Sequence, residues 1–192
     1  MVNSRSGHSA TLLDDNSVLV AGGFGSQSED TAERYDPVRD RWTPAGKLND
    51  PRISHAAVRP SDGRVLITGG NNSTGRGTVL SSAEWYNPTT NGWVPAPSMS
   101  TGRSGHTATL VNSIVLVVGG DDPAHSSAGA ERYDPRSNTW SDGGSLSPGR
   151  TRHTATALSD GSVVLLGGEI QDTPVAGSSN YDPLTNRWEP ST

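Results

Sequence analysis

The chain has 192 residues, a formal net charge of −5 and an apolar fraction of 31%, a length that suits one ordinary domain or two very small ones. It contains no run of about 20 apolar residues, which excludes a membrane-spanning helix, and its acidic balance disfavours a nucleic-acid binder. The absence of cysteine excludes disulfides, thiolate metal sites and cysteine nucleophiles. With 23 glycines, 13 prolines and only short apolar runs, the composition predicts an all-β protein.

Four landmarks recur in the same order along the chain. An Arg stands three residues before a His, a Gly doublet follows, then a Tyr before Asp-Pro or Asn-Pro, and a Trp comes seven residues after that Tyr. Successive Gly doublets are 47, 50 and 48 residues apart, which predicts four structural repeats in one domain, 1–192. The units cover about 1–48, 49–97, 98–145 and 146–192.

Each unit is predicted to form four short strands, which the third unit illustrates. Its first strand covers about 106–110, and its second, 114–118, is apolar on both faces, as in a strand covered from both sides. Gly119 and Gly120 end that strand, the third strand covers about 130–133, and the fourth carries Trp140. Four-stranded units that are covered on both faces stack radially around an axis.

The double glycine, the Tyr-Asp-Pro and the following Trp, at a period near 50, resemble the Kelch family of β-propellers. The Arg-Ser-Gly-His-Thr-Ala-Thr-Leu form at 103–110 looks most like bacterial Kelch repeats related to the propeller of galactose oxidase. The resemblance implies a Kelch-type propeller with four blades of four strands. It implies little about function, because this fold serves both enzymes and binding modules.

Three arrangements of four blades are open: a closed ring, a half-ring that dimerises, and part of a longer propeller. Kelch propellers usually have five to eight blades, so side chains sized for shallow angles would fit poorly in a ring of four. An open arc would leave two apolar blade faces bare, and such patches are rare on soluble monomers. We therefore expect an open arc that requires a second copy or the rest of a parent chain.

The repeated Arg residues allow two interpretations. Units one to three carry a Glu two residues before the Tyr, whereas unit four carries Ser179 there. One interpretation is a recurring Arg–Glu pair, which would leave Arg150 short of a partner. The other is a ring of Arg at the channel mouth that receives an anionic ligand or an acidic peptide. The ring would consist of Arg5, Arg52, Arg103 and Arg150.

The repeated histidines are the candidate metal ligands in the pattern. Symmetry places His8, His55, His106 and His153 around one axis, where a ring of imidazoles is able to bind Zn or Cu. However, blade faces point at neighbouring blades, so these side chains are expected to point sideways. The sequence therefore favours structural hydrogen bonds for them and predicts no metal and no cofactor.

The variable segments lie between the Gly doublet and the Tyr, where 11, 15, 12 and 12 residues intervene. These b–c loops, which join the second and third strands, leave the same face of a propeller, and variable loops on a fixed scaffold commonly carry binding specificity. The candidate contact residues are Asn71, Asn72, Arg76, Asp121, Asp122, His125, Glu169 and Asp172. A fifth Trp, Trp85, is either a packing residue or a contact spot.

Two functions from different classes follow. The first is a non-catalytic scaffold that presents the b–c loops to a protein, peptide or glycan. The second is part of a Kelch-propeller enzyme, oxidase-like or a lyase or isomerase, whose catalytic residues are incomplete in this chain. The copper-radical chemistry of galactose oxidase needs a Tyr–Cys cross-link and is excluded by the absence of Cys. No apolar signal-peptide segment occurs at the start, so cytoplasmic and secreted locations both stay open.

Overall fold

The computed structural model of the chain describes residues 1–25, 30–72, 77–122 and 125–191, and the side chains of 125 and 191 are not considered. Its regular structure is all strand and turn, and no helix of the described residues is long and apolar enough to cross a bilayer. Four antiparallel four-stranded sheets follow one another along the chain, each a simple meander, so the predicted all-β class is confirmed. Each sheet, called blades 1 to 4 in chain order, falls within one predicted unit.

Blade 1 contains β1 (Ser9–Leu12), β2 (Val18–Ala21), β3 (Thr31–Asp36) and β4 (Arg41–Lys47). Blade 2 contains β5 (Ala56–Val58), β6 (Val65–Thr68), β7 (Ala83–Asn87) and β8 (Gly92–Ala96). Blade 3 contains β9 (Thr107–Val111), β10 (Ile114–Val118), β13 (Gly129–Asp134) and β14 (Thr139–Ser145). Blade 4 contains β15 (Thr154–Ala157), β16 (Val163–Leu166), β19 (Ser178–Asp182) and β20 (Arg187–Ser191).

Two small hairpins lie outside the four sheets, in the b–c loops of blades 3 and 4. The first pairs β11 (Asp121–Asp122) with β12 (His125–Ser126), and the second pairs β17 (Glu169–Ile170) with β18 (Thr173–Pro174). The sequence predicts only polar loops here, because two-residue strands leave no alternating pattern. The two turn residues of the second hairpin, Gln171 and Asp172, have positive φ. Two-residue hairpin turns of this kind require positive φ at both central positions.

The second strand of each blade forms the centre of the core. Val115 and Val117 of β10 pack against blade 2, while Leu116 and Val118 on the other face pack against blade 4. Because both faces are covered, the strand shows no polar alternation. The buried residues fall into three clusters, between blades 1 and 2, 2 and 3, and 3 and 4.

The repeated Tyr and Trp pack as a pair at each blade, with ring centroids 4.9 to 5.1 Å apart. In blades 2 to 4 the Trp indole N–H donates to a backbone carbonyl of the preceding blade: Trp93 to Ala45 (2.8 Å), Trp140 to Pro97 (2.8 Å) and Trp188 to Gly143 (3.1 Å). These three Trp residues therefore join neighbouring blades. Trp42 of blade 1 is also half-buried but makes no such bond within the described residues.

The two ends of the blade array are open. Within the described residues, no hydrogen bond and no buried cluster joins blade 1 to blade 4. Leu166 at the end of β16 is 50% exposed, whereas its counterpart Val118 is 1% exposed because blade 4 covers it. Leu12 of blade 1 is exposed as well. The chain therefore forms an open arc, as expected from its sequence.

Candidate functional site

The b–c loops and the connections that lead into the first strands meet on one side of every blade. The residue after each Gly doublet and the residue after each repeated Arg exchange two backbone hydrogen bonds of 2.7 to 3.0 Å. The pairs are Ser6 with Phe24, Ile53 with Asn71, Ser104 with Asp121, and Thr151 with Glu169. Their shared geometry places the first residue of each b–c loop at the same level, on a face that we call the loop rim.

A run of backbone hydrogen bonds links the loop rim from blade to blade. The carbonyl of Gly7 accepts from the N–H of Ser54 (3.0 Å), Ser54 accepts from Gly105 (2.8 Å), and Gly105 accepts from Arg152 (2.8 Å). All four residues have positive φ, between 52° and 65°. The rim is thus one continuous surface held at fixed spacing by the backbone, which suits it to contact a partner across several blades.

The candidate loop residues of blade 2 lie on this rim. Asn71 forms the backbone pair with Ile53, and the side-chain oxygen of Asn72 accepts the N–H of Thr78 at 2.7 Å. The Asn72 side chain therefore stabilises the b–c loop of blade 2 from within. Arg76, also predicted as a contact, lies outside the described residues.

The candidate residues of blades 3 and 4 are adjacent. The Thr151 hydroxyl of blade 4 donates to Asp121 of blade 3 at 3.3 Å, and the N–H of Gln171 donates to the Ser126 hydroxyl at 3.4 Å. The two hairpins therefore form one patch, which brings together Asp121, Asp122, Glu169 and Asp172. For His125, the structure defines only the strand pairing with Asp122.

Arg152 also belongs to this patch, although it is not among the residues predicted from the sequence. Its guanidinium is paired with Glu169 and lies 3.7 Å from Asp172, and the Glu169 hydrogen bond and charge raise the pKa of Arg152. A signal was present, because the equivalent positions hold the small residues Gly7, Ser54 and Gly105. One cation among four carboxylates leaves the patch, which we call the acidic patch, with an excess of negative charge.

The Arg–Glu pairs predicted for the first three blades are present. A guanidinium Nη donates to the carboxylate at 3.0 Å for Arg5 and Glu33, 2.7 Å for Arg52 and Glu84, and 3.0 Å for Arg103 and Glu131. The other Nη donates to two backbone carbonyls of the same blade, and all six side chains are buried. The alternative of an open Arg ring at the channel mouth is wrong for these three residues, because their charges are already satisfied beneath the surface.

The carboxylates of these pairs also accept backbone N–H groups from the segment that enters the blade. Glu33 accepts from Val2 (2.7 Å) and Asn3 (3.4 Å). Burial alone would raise the pKa of Glu33, but the hydrogen bonds from Val2, Arg5 and Asn3 outweigh it and hold that pKa below its ordinary value. The pair thus ties the incoming chain to the third strand and is structural.

The repeated histidines lie between blades, as the sideways direction predicts. The Nε2 atoms of His55, His106 and His153 lie 2.8 to 3.0 Å from hydroxyls of the preceding blade, those of Ser9, Thr68 and Thr107. No cluster of three or more His, Asp or Glu fit to hold a metal occurs within the described part of the chain. The four histidines are therefore not gathered into a metal-binding ring within the described residues.

Burial is the main cause of low pKa values at these histidines. Burial, with the nearby Arg52 charge, lowers the pKa of His55 to about 3, and burial with Arg150 lowers that of His153 to about 4. The pKa of His106 lies well below its ordinary value for the same reasons. The rings are therefore neutral at pH 7 and act as hydrogen-bonding spacers.

Trp85 is a packing residue and not a contact spot. It is buried between blades 2 and 3, its indole N–H lies 3.3 Å from the Tyr133 hydroxyl, and the Arg64 guanidinium stacks 4.2 Å from its ring centre. Because Trp85 is only 3% exposed, its indole is removed from any binding surface.

The comparisons with known proteins agree with this architecture. Residues 7–192 match a family model described as KLHDC2/KLHL20/DRC7 Kelch-repeats domain. The structure of YjhT superposes with a TM-score of 0.80 at 18% identity, over 98% of this chain and 65% of that one, which supports the propeller fold alone.

Curated relatives show the same family at greater length. Kelch-like protein 36 of Rattus norvegicus is 30% identical over 62% of this chain and 20% of that protein. Alpha-scruin of Limulus polyphemus is 28% identical over 61% of this chain and 13% of that protein. The chain thus spans about a fifth or less of these relatives. The finer likeness to the galactose oxidase propeller stays a prediction, whereas the family is established: this chain belongs to the Kelch-repeat β-propellers.

Proposed function

We propose that the chain is a non-catalytic binding scaffold whose loop rim presents the acidic patch to a protein or peptide with basic residues. The observation that carries this proposal is the joining of the hairpins of blades 3 and 4 into one surface of four carboxylates and one guanidinium. Clustered carboxylates attract Lys and Arg side chains, and charge complementarity sets association rate and specificity. Kelch-like proteins and scruin among the relatives are consistent with a scaffold role.

Other features of the loop rim support the same function. Phe24, the first residue after the Gly doublet of blade 1, is 57% exposed, and aromatic side chains are enriched at protein interfaces. The backbone run from Gly7 to Arg152 fixes the distance between Phe24 and the acidic patch. A partner would therefore meet a preorganised surface, which reduces the entropic cost of binding.

The open faces of blades 1 and 4 are proposed to receive further blades, either of a longer parent chain or of a second copy. The exposed Leu12 and Leu166 are residues that a neighbouring blade would bury. A mass in solution above 20.0 kDa would support pairing between copies, and a stable monomer would contradict it for the isolated chain.

Binding of labelled oligo-lysine and oligo-glutamate peptides of equal length, followed by fluorescence anisotropy, tests the acidic patch. The double variant Asp122→Asn/Asp172→Asn should weaken oligo-lysine binding by about tenfold, which corresponds to two lost charge contacts of moderate strength. The matched control, Asp142→Asn/Glu189→Gln, changes the net charge equally at exposed positions of β14 and β20. Equal weakening in both variants would mean that only the net charge of the chain matters, which would overturn the proposal. Binding of a neutral glycan would be changed by neither variant.

A further inference from the structure

The repeated Arg of blade 4 keeps its position but lacks the carboxylate that the other three blades supply. Arg150 donates through Nη1 to the carbonyls of Gly167 (3.1 Å) and Gly177 (2.6 Å). Arg103 of blade 3 makes the same two contacts, to Gly119 (2.7 Å) and Gly129 (2.9 Å). The two guanidinium groups therefore occupy equivalent places, and Arg150 is only 4% exposed.

Strand register places Ser179 where Glu131 stands in blade 3. Glu131 pairs with Val117, two residues before the Gly doublet, and Ser179 pairs with Leu165 at the same distance from its doublet. Ser179 is buried, yet its side chain ends two bonds from Cα and carries no negative charge. The volume that the Glu131 carboxylate fills in blade 3 is therefore not filled by the side chain of Ser179.

A second donor is left over in the same place. In blade 3 the N–H of Ser100, three residues before Arg103, donates to the Glu131 carboxylate at 2.7 Å. The N–H groups of Val2 and Asn49 do the same in blades 1 and 2, also at 2.7 Å. Ser147 holds this position in blade 4, and its N–H finds no acceptor among the described residues.

The guanidinium is thus a buried cation without a counter-charge. Among the described residues Arg150 forms no ion pair, whereas Arg5, Arg52 and Arg103 each form one. Burial lowers the pKa of Arg150, the direction expected when desolvation is not offset by a nearby anion. A buried charge of this kind is costly, and an anion that reaches it gains a charge-assisted hydrogen bond.

We propose that the site beside Ser179 binds the carboxylate of a ligand from solution, between the Arg150 Nη2 and the Ser147 N–H. The bound group would take the place that Glu33, Glu84 and Glu131 occupy in the other blades. The site lies just beneath the loop rim, because Arg150 directly precedes the rim residue Thr151. Acetate or formate is the minimal ligand, and a Glu side chain of a bound peptide offers the same group.

The test measures the thermal midpoint of unfolding at pH 7 in sodium acetate and, at equal ionic strength, in sodium chloride. Acetate should raise the midpoint of the native chain in a saturable manner, and a signal from ¹³C-labelled acetate should broaden on binding. Equal midpoints in the two salts, with no broadening, would overturn the proposal. Replacing acetate by acetyl-Gly-Glu-Gly-amide then distinguishes the sources, because tighter binding of the peptide identifies a polypeptide carboxylate.

Three variants test whether the stabilisation by acetate arises at the site beside Ser179. Ser179→Glu supplies the missing carboxylate, so it should raise the midpoint without acetate and weaken acetate binding by about tenfold or more. Ser179→Gln fills the volume without charge and should also abolish acetate binding. Glu131→Ser reproduces the Arg–Ser arrangement of blade 4 in blade 3 and should be destabilised, with acetate restoring part of the loss. Acetate binding that persists unchanged in both Ser179 variants would place the anion elsewhere and overturn the proposal.

Discussion

Blades 3 and 4 are nearly the same unit in sequence and in strand order, but they differ in what covers them. Blade 3 is enclosed by neighbours on both faces, whereas blade 4 is covered on one face only. A Cβ on Gly119 of blade 3 would lie 2.4 Å from the Arg150 carbonyl, but one on Gly167 of blade 4 would meet nothing nearer than 3.5 Å. Burial and backbone crowding in a repeat protein therefore depend on the interface between units more than on the unit itself.

The largest expected difference concerns the repeated Trp. Trp140→Ala should lower the free energy of unfolding by about 3 to 5 kcal/mol, because the ring packs in an inter-blade cluster and its N–H bonds to Pro97. Trp42→Ala removes the same side chain from the open face of blade 1 and should cost about 1 to 2 kcal/mol. Urea unfolding of the two variants measures both values, and equal costs would mean that the interface adds nothing to the Trp.

The first glycines of the doublets in blades 3 and 4 have nearly the same backbone conformation, so the same substitution can be compared in a covered and an open blade. Gly119 and Gly167 have φ of 65° and 62°, so Ala at either position carries the left-handed penalty of about 1 to 2 kcal/mol. Gly119→Ala adds a collision with the Arg150 carbonyl and should cost about 3 kcal/mol or more in total. Denaturant unfolding of both variants decides the point. A Gly167→Ala cost as large as that of Gly119→Ala would show that blade 4 is covered in solution.

The smallest expected effect is the pH dependence of the inter-blade histidines. The pKa of His55 is about 3 in the folded chain and ordinarily 6.5, so between these values the unfolded chain binds more protons and stability falls as pH is lowered. From pH 7 to pH 5, His55 should account for about 2 kcal/mol of that loss. Unfolding of His55→Gln at both pH values measures this share. A pH dependence identical to that of the native chain would exclude His55 as its source.

Much of the fold could be predicted because its signals are local and repeated four times. The strand 114–118 is found where its apolar run predicts it, and the Tyr and Trp pair in every blade because strand register brings residues seven apart face to face across the c–d turn. The Arg–Glu pairs could be predicted too, since the two residue types recur at fixed offsets. The hairpins of blades 3 and 4 could not, because two-residue strands carry no periodic pattern.

The sequence by itself determined the repeat number, the strand order and the single blade whose Arg lacks a carboxylate, since all three follow from residue identity at fixed spacing. Only the tertiary structure decided how deeply each of these charges is buried and which blade surfaces are bare. Arg103 and Arg150 are the same residue in the same pattern, but Glu131 and Ser179 give them different surroundings, and burial makes the difference costly. Likewise, the acidic patch exists only because packing brings two separate loops together. Packing against blade 4 buries Val118, whereas Leu166 has no neighbouring blade to cover it and is exposed.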